Sequence, residues 1–241
     1  MSTGLLPFSR ERIVELHDEY DRDGSVVVGQ ILSGDEVQEC RSQIDRYIKQ
    51  VIPALPQSVI DKTVRYEEDG EAIRSCYFMD QVDPWFRKFG NRADLKALVA
   101  GVAGYEPELY VVETFNKYAE VGSSAVPHQD AIFLPIEPID MVHLWIAIDP
   151  ATEQNGALEY WNGTHKQGLV PHEPAPFGLI VTGWDIHSQR ELVKTAVLEP
   201  GGAAIHSGTV IHYSPPNPTT QPRLGLLCGY RGAHTRVLEE E

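Results

Sequence analysis

Apolar residues recur at helical spacing through the first hundred positions and change to short alternating runs after Gly104. Between Ser9 and Asp21, Ile13, Leu16 and Tyr20 form a stripe that predicts a helix. Ser33-Gly34-Asp35-Glu36 reads as a capping box, a Ser N-cap with Glu three residues on. Behind it Val37, Cys40, Ile44, Ile48 and Val51 share one helical face, up to Pro53, which lacks the N–H to continue. A shorter helix is expected over 94–102, stopped by Gly104. Residues 1–104 are therefore expected to be a mostly helical flank.

Beyond Gly104 the pattern predicts strands. Val142, Leu144, Ile146 and Ile148 alternate with His143, Trp145, Ala147 and Asp149. Further strands are expected at 110–118, 191–198, 203–207, 209–214 and 224–231, with one at 157–161 behind the Asn155-Gly156 turn. Many short strands joined by turns indicate a sandwich or jelly roll. No Pro/Gly/Ser linker interrupts the chain near residue 104. The expectation is one domain over 1–241, mainly β, with a jelly-roll core at 105–235 and helices packed outside it.

Composition narrows the function. The chain has 241 residues, 42% of them hydrophobic, so it can bury a core without staples. Its net charge of −15 argues against nucleic acid and against anionic membrane surfaces, both of which need a basic footprint. No run approaches the roughly 18 apolar residues of a membrane span. The N-terminus turns charged within ten residues, unlike a signal peptide. The three cysteines lie far apart, so no disulfide framework is expected and the address is taken as cytoplasmic.

Among the nine histidines, His128-Gln129-Asp130 stands apart. In a strand, residues i and i+2 face the same side, so an imidazole and a carboxylate would converge. They supply two ligands of a two-His-one-carboxylate site, which holds iron(II) and leaves positions open. A surface pair with a local hydrogen bond is the alternative. The third ligand has seven downstream candidates: His143, His165, His172, His187, His206, His212 and His234. His212 sits in an apolar run with Ser214 on the same face. Beyond the turn-rich 215–222 segment, Arg223 would start a strand running back beside that of His212 and point at the same pocket, where a guanidinium can hold a carboxylate bidentately. His206, close by and also ending an apolar run, competes with His212.

From Pro127 to Tyr230 the chain resembles the phytanoyl-CoA hydroxylase-like (PhyH) family of iron(II)/2-oxoglutarate dioxygenases. The matching pieces are Pro127-His128-Gln129-Asp130, Leu144-Trp145-Ile146-Ala147, Gln154-Asn155-Gly156-Ala157-Leu158, Gly163-Thr164-His165-Lys166, and Ile211-His212-Tyr213-Ser214 with Asn217, Pro222 and Arg223. The resemblance implies a double-stranded β-helix (a jelly roll, cupin-like) with the site in its mouth. It implies His128, Asp130 and His212 as ligands of Fe(II). It implies Arg223 as the partner of the distal carboxylate of the cosubstrate 2-oxoglutarate, with Ser214 adding a hydrogen bond. Either Asn116 or Lys117 would be a further cosubstrate contact, and Trp145 would wall the pocket. Asn155-Gly156 and Gly163-Thr164-His165 are read as structural turns.

The chemistry so implied uses O2, releases succinate and CO2, and hydroxylates an unactivated C–H bond of a small-molecule metabolite or natural-product intermediate. Because Asp130 is present, halogenation is not expected. Epimerisation, cyclisation and desaturation begin from the same hydrogen abstraction. A non-redox cupin-like metalloenzyme and a non-catalytic binding protein are the readings from other classes. For the substrate, the 171–190 segment, with Phe177, Trp184, His187 and Arg190 and few strand signals, is expected to form a lid. Phe78 and Met79, in Cys76-Tyr77-Phe78-Met79-Asp80, are expected to add a pocket wall.

Overall fold

Ser9 accepts a hydrogen bond from Arg12 N and caps a helix over Arg10–Asp23, and Gly24 ends it in the left-handed region. The capping box forms as expected: Ser33 and Glu36 exchange bonds at the start of the helix Gly34–Arg46. The apolar stripe continues past that helix, but the hydrogen bonding widens into a π turn over Tyr47–Val51 and then tightens over Ile52–Ala54, where Pro53 supplies no N–H. The helix Ala93–Ala103 stops at Gly104, again left-handed. The computed structural model describes residues 8–176, 178–185 and 189–238.

Two antiparallel sheets build the jelly roll. The larger has seven strands in the order Ser25–Gln30, Gly202–Ser207, Met141–Ala147, Arg223–Gly232, Pro107–Lys117, Ile73–Cys76 and Val64–Tyr66. The smaller has four: Val193–Thr195, Glu159–Trp161, His212–Ser214 and Ala125–His128. The strand Met141–Ala147 is buried along its whole length. Its alternation therefore sorts residues between two cores rather than between core and water. Val142, Leu144 and Ile146 join Leu16, Val37, Ile44, Phe86 and Leu98 in the core beneath the helices. Trp145 and Ala147 face the other way and pack with Val111, Tyr160 and Leu227.

Four sequence expectations are corrected. Residues 1–104 are not only helical, because they supply three strands, including both edges of the large sheet. Ser25–Gln30 is too short for periodicity to betray it. Ile73–Cys76 owes its conformation to pairing, Ser75 with Phe115 and Cys76 with Thr114. The 209–214 strand shrinks to His212–Ser214, since Val210 N donates back to Ser207 O in a turn. The 171–190 segment, read as having few strand signals, contains a hairpin, His172–Ala175 paired with Gly178–Val181, set against the His128 strand. Finally, the Arg223 strand does not run beside that of His212. It crosses to the large sheet, between Met141–Ala147 and Pro107–Lys117. Asn217 braces that crossover by donating to Lys117 O and Gln221 O.

Candidate metal centre

His128 ends one strand of the small sheet and His212 opens its neighbour, directly across as register partners. Their ring centroids are 4.2 Å apart. Asp130 leaves the strand: Gln129 is extended, and Asp130 begins a 3-10 turn over Asp130–Phe133. The carboxylate still folds back, with Oδ1 3.3 Å from His128 Nε2 and Oδ2 3.6 Å from His212 Nε2. One donor atom from each of the three lies within 4.8 Å of the others, a two-His-one-carboxylate set able to close on one ion. Both imidazoles are oriented alike. His128 Nδ1 lies 2.6 Å from Val126 O and His212 Nδ1 3.2 Å from Val210 O, so each ring donates to the carbonyl two residues back and keeps Nε2 as a lone-pair ligand.

Electrostatics suit a cation. Burial pushes His212 well below its ordinary value despite the nearby Asp130 carboxylate, so the ring is neutral at neutral pH. Burial alone would raise Asp130, but His212 and His143 outweigh it and hold the carboxyl well below the usual range. Burial works against charge on His128, yet the bond and charge of Asp130 shift it upward. Gln129, fully buried between two of the ligands, pins the turn: its Nε2 donates to Gly168 O at 2.8 Å and Thr209 O at 2.6 Å, and its Oε1 accepts from Val170 N.

The centre opens into a cavity of about 560 Å³, counting its mouth, bordered also by Arg74, Lys117, Trp145, Leu158, Ser214 and Arg223. Arg223 is 2% exposed, and its Nε and Nη1 have no hydrogen-bond partner among the described residues. Burial, with Arg74 close by, lowers its pKa to about 10, so it stays cationic at neutral pH. A buried guanidinium without an anion is costly, and a carboxylate entering the cavity would relieve that cost. The Trp145 ring lies under it, 5.1 Å from Cζ to centroid. Gly225 makes room, because a Cβ there would stand 2.1 Å from Trp145 Cζ2.

Lys117 is the register partner of Arg223 and shares its face, whereas Asn116 pairs with Leu224 on the other pleat and only borders the cavity. Burial, then Arg223 and Arg74, lower Lys117 to about 6. Its Nζ donates to Ser123 O. Gly156, at φ +89°, lets the Asn155 turn press on the Lys117 side chain. Ser214 borders the cavity while its hydroxyl donates to Gly156 O at 2.8 Å.

Glu113 pairs with Leu227, which pairs in turn with Trp145, so its side chain faces the interior of the roll. Burial, with the charges of Asp130 and Asp80, pushes it up to about 8. The folded state thus keeps the acid form while the unfolded chain ionises near 4.5. Wild-type stability from this group is present below about pH 4.5 and lost as pH rises to about 8. In thermal melts of the metal-free protein, the advantage of Glu113→Gln is expected to widen across that window and stay flat above it.

A family model described as phytanoyl-CoA dioxygenase (PhyH) matches residues 20–225. The chain belongs to this family. It is 25% identical over 190 residues to the phytanoyl-CoA dioxygenase domain-containing protein 1 homolog of Caenorhabditis briggsae, covering 63% of this chain and 65% of that one. To the peroxisomal phytanoyl-CoA dioxygenase of Bos taurus it is 24% identical, over 92% of this chain and 69% of that one. The chain thus spans a little under two thirds of the Caenorhabditis relative. Solved structures share the fold. The non-heme monooxygenase ThoJ in its apo form has a TM-score of 0.77 at 21% identity, covering 94% of this chain and 80% of that one. The epimerase SnoN, in complex with Fe3+, alpha ketoglutarate and nogalamycin RO, has 0.75 at 21% identity, covering 96% and 88%.

In this PhyH chain the described residues expected at the substrate end do not gather. Phe78 is 41% exposed in a left-handed conformation, φ 55°, while Met79 is fully buried in the core beneath the helices. Trp184 packs edge-on against Trp161, and Arg190 pairs with Glu159 at 2.7 Å; neither borders the cavity. His187 and Phe177 lie outside the described residues. Sequence reasoning missed Arg74, which reaches the cavity from an unforeseen strand and bonds Ser123 Oγ and Ser124 O. It also missed the roles of His143 and His206, which both touch Asp130. No helix among the described residues is long and apolar enough to cross a membrane.

Proposed function

We propose that this chain is an iron(II)- and 2-oxoglutarate-dependent oxygenase that hydroxylates a C–H bond of a small-molecule metabolite or natural-product intermediate. The observation that carries the reading is the buried Arg223 guanidinium, two of its N–H groups unmatched, bordering the same cavity as His128, Asp130 and His212. A non-redox metalloenzyme has no need of that cation.

Iron(II) held by the three side chains supplies oxygen activation coupled to decarboxylation of 2-oxoglutarate to succinate and CO2. The protein does the rest. Arg223 holds the distal carboxylate of the cosubstrate as a two-pronged donor, with Lys117 beside it. Trp145, Leu158 and Leu227 wall the cosubstrate and keep water from it. We place the approach of a substrate C–H bond at the rim beside His128, toward Phe133, whose ring centroid lies 6.3 Å from that of His128. Phe133 is 56% exposed, an apolar contact for a small substrate. The named neighbours include an epimerase and a monooxygenase. The outcome therefore depends on how the substrate is posed at this rim.

The test is anaerobic titration of the metal-free protein with iron(II) and then 2-oxoglutarate, following the visible charge-transfer absorption. A band saturating near one equivalent and lost in His128→Ala is expected. Iron binding without any such band would refute the cosubstrate assignment.

A further inference from the structure

Two cross-strand histidine pairs enclose Asp130, one from each sheet. His128 and His212 are partners in the small sheet, and His143 and His206 are partners in the large one. The second pair makes the shorter contacts. His143 Nδ1 lies 2.6 Å and His206 Nε2 3.0 Å from the same oxygen, Asp130 Oδ2.

We propose that His143 and His206 are positioning residues that clamp Oδ2 of Asp130 to the large sheet, leaving Oδ1 as the oxygen offered to the metal. The proposal rests on His128, Asp130 and His212 being the metal ligands.

The outer nitrogens fix the direction of these bonds. His143 Nε2 meets the Tyr110 hydroxyl, and His206 Nδ1 lies 3.1 Å from the Tyr160 hydroxyl. A neutral imidazole has one N–H and one lone pair. If each phenol donates to the lone pair, each ring must turn its N–H to Asp130. Burial holds both phenols above their ordinary range, so both keep the proton they donate. Asp130, His143 and His206 could be read as a second ion site, since their donor atoms also lie within 4.8 Å of one another. Both nitrogens of each ring are already engaged, and each ring meets Oδ2 directly at hydrogen-bond distance. These contacts describe a clamp and not a ligand set.

The clamp has a chemical consequence. An untethered carboxylate can turn and take two positions on a metal. The proposed reaction needs three open positions, two for 2-oxoglutarate and one for oxygen. Holding Oδ2 elsewhere keeps them open. Outer-shell partners of this kind typically govern metal affinity about 10- to 100-fold.

Cobalt(II), which is stable in air, serves as the probe on the full chain, with affinity, stoichiometry and visible d–d spectrum as readouts. Wild type is expected to bind one equivalent. His143→Leu and His206→Leu are expected to bind about 10- to 100-fold more weakly with an altered spectrum. His143→Asn and His206→Gln, whose amide N–H groups stand where Nδ1–H and Nε2–H stood, are expected to restore both readouts. A merely structural role would not be rescued in the spectrum. Should the leucine variants fail to fold, Tyr110→Phe removes the donor that fixes the His143 tautomer, and a several-fold weaker affinity is expected. Wild-type binding and spectrum in the leucine variants, or in Tyr110→Phe, would overturn the clamp. If His128→Ala loses the metal at the same time, the proposed function stands without the clamp. A second bound equivalent, or loss in the leucine variants with full binding in His128→Ala, would overturn the clamp in favour of a metal at Asp130, His143 and His206.

Discussion

Asp130→Ala is expected to abolish iron binding and turnover together, an effect larger than the roughly 100-fold ceiling of outer-shell changes. Asp130 is the only anionic member of the candidate ligand set, and its carboxylate is also the point where four imidazoles meet. Alanine there removes the charge that favours a dication and leaves the His143 and His206 N–H groups without their acceptor. His212→Ala removes one neutral ligand and leaves the carboxylate clamped, so it is expected to retain weak binding. Metal titration followed by calorimetry separates the two. If Asp130→Ala binds iron as tightly as His212→Ala does, the central place given to the carboxylate is wrong.

Arg223→Leu is expected to have the second largest effect, with opposite signs in two measurements. Losing one partner of a buried charged pair costs about 2–5 kcal/mol, which weakens 2-oxoglutarate binding by about 30- to several thousand-fold. Metal affinity should change little, because Arg223 borders the cavity without touching the ligands. In the cosubstrate-free protein the same change should raise the melting temperature. Burial lowers the guanidinium to about 10, so below that pH the folded state carries an unmatched cation that leucine removes. Arg223→Lys keeps the charge but loses the planar fork, and a smaller loss of affinity is expected. A lower melting temperature with unchanged cosubstrate affinity would mean that Arg223 is a structural cation.

Much of this was legible locally. The Ser33–Glu36 box, the Gly104 stop and the alternation of Met141–Ala147 follow from hydrogen-bond chemistry within a few residues, and each stands where its pattern predicts. The triplet His128-Gln129-Asp130 does converge, though by a different route. The strand stops at His128, and the 3-10 turn, not strand alternation, brings the carboxylate back. The choice between Asn116 and Lys117 was open because either neighbour can face inward; pairing with Arg223 selects Lys117 as the residue on that face. The strands Ser25–Gln30 and Ile73–Cys76 escaped notice because one is a sheet edge and the other a four-residue strand held by neighbours on both sides, with no period long enough to read.

The sequence by itself determined the longer helices and strands, the jelly-roll class and the family, because periodicity, caps and motif order are properties of contiguous residues. Only the tertiary structure decided which sheet receives the Arg223 strand, and that His143 and His206 meet at Asp130. Alternation says that His143 and Trp145 share a face. It does not say what lies across from them. That is settled when the large sheet buries one face under the helices and the other inside the roll, a choice made by the whole chain at once.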